Sequence, residues 1–402
     1  MANTKLIVLL GDGMADRPIP ELDGRTPLMA ARTPNMDEIA SRGIFGYVDT
    51  STKGFPPGSD IMNMNVMGYD PVKYYAGRAP IEAVSMGIEL GPDDVAFRCN
   101  LVTLRHSEGR IFMEDYSAGH ITTAEGDAII RFLNEHLGKG DISFYPGKSY
   151  RHIMMWRNGP DGLGLTPPHD IIGKDIKPYI PQNDLLIGLM EKSWPLLQDH
   201  PANQLRNAKG HLPANSVWFW GEGKRPKMPS FKELWGLDGV MISAVDLLKG
   251  LGVLAGLKAP DVPGATGYLD TNYENKVKAA IDGLRRSDFA YLHVEAPDEC
   301  GHNADIDSKI RAIEDFDRRV VGNVLEAMAE FEQWRLLVMP DHATPIEVRT
   351  HVTDPIPFAM LTSEHPKRPE NKISFAESSS PQTHQNYFES CKKLCELFYN
   401  KG

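Results

Sequence analysis

Three apolar runs in this chain each break into an acidic motif of the kind that binds metal. Lys5 to Leu10 (KLIVLL) runs into Gly11-Asp12-Gly13. DFAYLHVEA runs into Pro297-Asp298 and reaches His302, and WRLLVMP runs into Asp341-His342. Short apolar runs closed by glycine or proline read as strands buried on both faces, which is how parallel sheets are built. In open α/β sheets, chemistry gathers at the carboxyl ends of the strands. One sheet edge is therefore expected to collect Asp12, Asp298, His302, Asp341 and His342 from distant parts of the chain.

The rest of the chain agrees with that frame. Further strands are predicted at 95–104, 216–221 and 239–245, and they alternate with helical patterns such as SAVDLLKGLGVLAGL. Thr33-Pro34-Asn35 opens a helix with Met36, Ile39 and Ala40 on one face. Phe55-Pro56-Pro57-Gly58 is a rigid turn that delivers Ser59 to the start of another helical stretch. Alternation of this kind predicts an α/β fold with a mostly parallel sheet covered by helices. The stretch from about Arg105 to Ile180 reads differently, as short alternating runs around one helix. We expect a small inserted α+β domain at 106–182, with residues 1–105 and 183–402 forming the core.

Composition narrows the function. The chain has 402 residues and a formal net charge of -11, which argues against general binding to nucleic acid or anionic membrane. An anionic substrate would then need a local cluster of arginine, lysine and metal. No run is long enough to span a bilayer, and the start MANTKLIVLLGDG lacks the form of a signal peptide. The four cysteines follow no zinc or disulfide pattern, so a reduced, cytoplasmic protein is expected.

Carboxylates and imidazoles are ligands for Mn²⁺, Mg²⁺ or Zn²⁺. Asp298 and His302 are four residues apart and face one way on a helical turn. Asp341 and His342 diverge, so that pair could serve two ions, and His351 follows in the same segment. A serine among such ligands, here Ser59, reads as a nucleophile activated by metal. Taken singly, Asp12 is also a turn residue, Ser59 a helix cap and each histidine a structural imidazole. All of these holding together is the less economical account. Arg78, Arg98, Asn100 and Arg151 are candidate clamps for phosphate or carboxylate. No Walker A motif, dinucleotide fingerprint, nucleophile elbow or protein-kinase set is present.

At these residues the chain resembles the alkaline phosphatase superfamily, and within it the shorter, archaeal-type cofactor-independent phosphoglycerate mutases. The resemblance runs through LIVLLGDGMADRPIPELDGRTPL, GFPPGSDIMNMNVMGYDP, YYAGRAPIEAVSMGIEL, DYSAGHIT, PGKSYRHIM, LTPPHDI, EAPDECGH and MPDHATP. It implies an alkaline-phosphatase-like core and Ser59 as the phosphorylated nucleophile. It implies two divalent ions, Mn²⁺ or Mg²⁺, with Zn²⁺ also acceptable. One ion would be held by Asp12, Ser59, Asp341 and His342, the other by Asp298, His302 and His351. It further implies a mobile insert whose His120, Arg151, His152, His169 and Asp170 meet the substrate, a phosphoglycerate. Arg98 and Asn100 are candidates from the core. The alternatives are a related homoserine kinase, then a metal-dependent phosphatase. A non-catalytic metal-binding protein is a third class that would have little use for Ser59. The resemblance leaves a homo-oligomer open.

Overall fold

The computed structural model describes residues 4–366 and 371–400. The chain forms two compact units, residues 1–75 with 228–402, and residues 76–227. Among the described residues there are twelve strands. In chain order they are β1 (Lys5–Gly11), β2 (Ile44–Val48), β3 (Val95–Ser107), β4 (Arg110–Asp115), β5 (Ile142–Tyr145) and β6 (Arg151–Trp156). There follow β7 (Ser216–Lys224), β8 (Gly239–Ile242), β9 (Phe289–Val294), β10 (Trp334–Met339), β11 (Ile356–Thr362) and β12 (Tyr387–Phe388).

The first unit is an α/β layer built on a seven-stranded sheet of order β12-β2-β11-β10-β1-β9-β8. Strand β1 lies parallel to both β10 and β9, and β8 lies parallel to β9. Only β11 runs against its neighbours. The register places Leu10 beside Met339 and Gly11 beside Val294, so β1, β9 and β10 end level at one edge. The run that reads as apolar throughout is buried on both faces for that reason. Ile7 and Leu9 pack with Met36, Ile39, Val277 and Ile281 from helices on one side. On the other side Phe289 stacks on Phe231 at 4.5 Å and meets Tyr399 edge-on.

Two strands of this sheet, β2 and β11, carry no clear signal. Gly46 interrupts β2, and it is required there: a Cβ would lie 2.2 Å from the Asn386 carbonyl of the chain entering β12. Pro357 similarly breaks the apolar run of β11.

The second unit is antiparallel. Its sheet has the order β4-β3-β6-β5, with β7 also on β3. The helix Thr123–Leu137 covers one face and is closed at its start by a reciprocal cap between Thr122 and Glu125. Phe97, Cys99, Leu101, Ile129, Leu133 and Phe219 share that core. This unit extends past the expected 106–182 at both ends. Strand β3 is one thirteen-residue element bonded to β4, β6 and β7, so no boundary falls at 105. Strand β7, expected in the core, belongs to the same sheet.

Candidate active site

Each site residue of the first unit stands where the level sheet edge puts it. Asp12 follows β1, and its amide donates to the Val294 carbonyl at 2.9 Å. Asp298 lies on the helix Ala296–His302 that leaves β9, and Asp341 follows β10. Thr50, just past β2, donates its hydroxyl to the Asp341 carbonyl at 2.6 Å. From there the chain turns through Gly58 into the helix Ser59–Val66, whose first residue is Ser59.

These side chains converge. Ser59 Oγ lies 3.2 Å from His342 Nε2. His342 Nε2 is 3.3 Å from both Asp12 Oδ1 and Asp341 Oδ2. Nearby, Asp298 lies 3.1 Å from His302 Nε2 and 3.4 Å from His351 Nε2, and the two imidazole nitrogens are 3.0 Å apart. His342 also falls within reach of Asp298 and His351, so it adjoins both groups. All seven residues expected from the sequence thus lie together in one unit.

Gly13 shows how tight the packing is. Its φ is +57°, and a Cβ there would sit 2.5 Å from Asp298 Oδ1 and from Thr344 Oγ1. Only glycine allows the backbone this close to Asp298 and Thr344 in a left-handed conformation.

The electrostatics follow from burial. Burial pushes the Asp12 carboxyl well above the usual range, with Asp341, Glu295 and Asp298 adding repulsion. Burial likewise lifts Asp341 to about 7, against the Gly13 amide that donates to it. Asp298 is buried too, yet bonds from His302 and His351 hold it well below the carboxylate range. Burial works against charge on His302, but Asp298 raises it to about 9. His342 is forced far down by burial and by His351, so its ring is neutral, the form that binds metal.

These residues fit divalent cations. Asp12 Oδ1 is sealed from water and has no hydrogen-bond partner among the described residues. Ligand atoms on one ion at roughly 2.0–2.2 Å in tetrahedral geometry stand about 3.4 Å apart, close to the separations here. Asp341, Glu295 and Asp298 also repel charge on the buried Asp12 carboxyl, and a cation would relieve that repulsion.

A cation held by His302 beside Asp298 would have to displace the His302 proton. Apparent affinity for Mn²⁺ should therefore rise at least about tenfold per pH unit from pH 7 to about 9, then flatten. Calorimetric titration across that range checks this, and an affinity independent of pH would refute it.

The structure adds partners that have no motif. His293 Nε2 lies 2.6 Å from Asp12 Oδ2, and its Nδ1 lies 3.0 Å from Ser243 Oγ. Glu295 sits beside this pair, lifted to about 8 by burial and by Asp298. Asp12, His293 and Glu295 form a further group able to hold a cation. Lys309 is wholly buried, and its Nζ donates to Asp16 and to the carbonyls of Ala15 and Thr344. It ties together the loops after β1 and β10. A histidine inside the fully buried run of β9, followed by a glutamate, was the one sequence signal for any of these.

The second unit has its own cluster. Strand alternation and register place Arg98, Asn100, Arg151 and Trp220 on one face of its sheet. The Arg98 guanidinium lies 4.2 Å over the Trp220 ring and 2.9 Å from Glu82. Burial lowers Arg98 to about 10 although Glu82 supports its charge. Asn100 accepts from Trp220 Nε1 at 3.0 Å and donates to the Tyr116 carbonyl. His169 packs edge-on against Trp220 and Tyr116, and the half-exposed Asp170 lies 3.7 Å from it. Arg78, near Arg98 and His169, belongs to the same basic surface.

His152 is a correction. It pairs with Cys99 and points to the opposite face from Arg151. There it is buried against Gly126, accepts from the Gly147 amide at 2.9 Å and is pushed down to about 3 by burial. It serves the core of the unit. His120 lies exposed in the turn after β4, held by a bond from its amide to Ser117 Oγ.

With this geometry in place, comparison with known proteins is decisive. Residues 40–203 match the family described as 2,3-bisphosphoglycerate-independent phosphoglycerate mutase. A probable 2,3-bisphosphoglycerate-independent phosphoglycerate mutase of Geobacter sulfurreducens is 53% identical over 363 residues, covering 90% of this chain and 91% of that one. The chain belongs to this mutase family. A second mutase, from Methanosarcina barkeri, is 52% identical over 368 residues, covering 90% of this chain and 91% of its own. Among solved structures, the PH0037 protein of Pyrococcus horikoshii matches with a TM-score of 0.83 at 28% identity, covering 99% of this chain and 97% of that one. The cofactor-independent phosphoglycerate mutase of Thermoplasma acidophilum matches with a TM-score of 0.64 at 26% identity, covering 98% of each chain. Membership in the mutase family makes the homoserine kinase reading the less favoured one. Among the described residues, no helix is long and apolar enough to cross a membrane.

Proposed function

We propose that this chain interconverts 3-phosphoglycerate and 2-phosphoglycerate through a phosphoserine at Ser59, without 2,3-bisphosphoglycerate. The observation that carries this reading is the convergence of a buried serine hydroxyl on the Asp12, Asp341 and His342 group, 3.2 Å from His342. Its relatives, named as phosphoglycerate mutases, point to the substrate.

Two divalent ions are assigned, one to Asp12, Ser59, Asp341 and His342, the other to Asp298, His302 and His351. Mn²⁺ or Mg²⁺ suits this mixed oxygen and nitrogen set, and Zn²⁺ is acceptable to it. When bound, they supply positive charge that favours the serine alkoxide and the transferring oxygens.

The Ser59 hydroxyl gives up its proton as Oγ attacks the phosphorus of 3-phosphoglycerate, and the bond to the 3-oxygen breaks. The departing glycerate takes up a proton at that oxygen. The glycerate then presents its 2-hydroxyl, which loses a proton and attacks the phosphoserine. The Ser59 Oγ–phosphorus bond breaks, Oγ takes up a proton again, and 2-phosphoglycerate leaves. Ser59 begins a helix of eight residues, so backbone amides at that end favour the phosphoryl oxygens. Recognition of the glycerate carboxylate and phosphate is assigned to the basic face of the second unit, from Arg78, Arg98, Arg151 and His169, with Asn100 holding Trp220 in place. Asp170, exposed beside His169, and His120, exposed in the turn after β4, are assigned to its rim. The four cysteines, all buried and unpaired, fit a reducing compartment such as the cytoplasm.

Acid quenching of the metal-loaded protein during turnover tests the reading. The peptide containing Ser59 should gain one phosphoryl group, and its absence would count against the reading. Arg151→Ala should raise KM for phosphoglycerate about tenfold or more and leave Mn²⁺ affinity unchanged. Steady-state kinetics with calorimetry checks this.

A further inference from the structure

The helix that carries Ser59 is tied to Asp341 by one side chain, Asn63. Its Nδ2 donates to the Ser59 carbonyl at 2.9 Å and to Asp341 Oδ2 at 2.7 Å. Its Oδ1 accepts from the Tyr291 hydroxyl at 2.5 Å. Asn63 and Tyr291 are both wholly buried. An amide has two N–H bonds, and both are used here. The opposite orientation would set its oxygen against a carboxylate and a carbonyl, with no donor between them. Tyr291 enforces the correct one. Burial holds its phenol far above the usual range, so it stays a neutral donor.

We infer that Tyr291 and Asn63 form a positioning relay that fixes the spacing between the nucleophile and Asp341. This rests on the assignment of Ser59 and Asp341 made above. Asp341 takes its other bonds from the Gly13 and His342 amides, both on its Oδ1. Asn63 is therefore what orients Oδ2, the oxygen that faces the His342 ring, 3.3 Å from its Nε2. The same amide holds the first turn of the nucleophile's helix. Neither residue is on the basic face that recognises substrate, so the relay acts on phosphoryl transfer and not on substrate affinity.

A double-mutant cycle on the metal-loaded enzyme tests this. Asn63→Ala is expected to lower kcat about a hundredfold and Tyr291→Phe about tenfold, each with KM within about twofold. Tyr291→Phe added to Asn63→Ala should cost nothing more in kcat, because Tyr291 acts only through Asn63. Asn63→Asp keeps the shape but presents an acceptor to Asp341, and it should be at least as impaired as Asn63→Ala. A second tenfold loss in the double variant would overturn the relay, as would full kcat in Asn63→Asp. Should a variant fail to fold by circular dichroism, the Tyr291→Phe and Asn63→Asp pair gives the same decision. Absence of phosphoserine in the wild-type enzyme would instead refute the assignment of Ser59.

Discussion

Ser59→Ala is expected to lose at least about a thousandfold in turnover while keeping its fold and its capacity to bind metal. The hydroxyl sits 3.2 Å from His342 Nε2, on a helix held through Asn63 and among residues that are nearly all buried. Deleting one oxygen disturbs little of that packing. It does remove the only atom proposed to carry the phosphoryl group between the two hydroxyls of glycerate. Residual turnover should then show no phosphorylated protein. Enolase-coupled assay together with metal analysis checks this. Near wild-type turnover would exclude a covalent route through Ser59.

The second large effect concerns the cations. Chelation should abolish activity, and Mn²⁺ or Mg²⁺ should restore it. Asp298→Ala should reduce bound metal by one ion and cut turnover about a thousandfold, more than loss of a remote partner of a ligand would. The reason lies in its contacts. Asp298 meets His302 at 3.1 Å and His351 at 3.4 Å, and it accepts from the Thr344 hydroxyl. Without it two imidazoles face each other at 3.0 Å with no anion between them. Metal content by elemental analysis, beside kcat, separates this from a folding defect. Two ions retained at full occupancy would show that Asp298 is not a ligand.

How much of this could be read in the sequence depended on how each residue does its work. Asp12, Asp298 and Asp341 follow strands with strong apolar signals, and parallel register brings such strand ends level. Ser59 was visible through the rigid turn before it. Asn63, Tyr291 and Lys309 were not, because each acts by bonding to a residue hundreds of positions away and has no local pattern. His293 was hidden inside a buried run. The second unit's boundary was missed because the apolar run of β3 resembles a core strand, although it is bonded into an antiparallel sheet. His152 failed for a reason the sequence contained: neighbours on a strand point to opposite faces, so Arg151 and His152 could not both meet the substrate.

The most direct test of the central claim is ³¹P NMR of the metal-loaded protein. It should be run with 3-phosphoglycerate free of 2,3-bisphosphoglycerate, and separately with ATP and homoserine. The 2-phosphoglycerate resonance should grow to equilibrium in the first sample without inorganic phosphate, and the second should not change. No 2-phosphoglycerate in the first sample, or O-phosphohomoserine in the second, would contradict that claim.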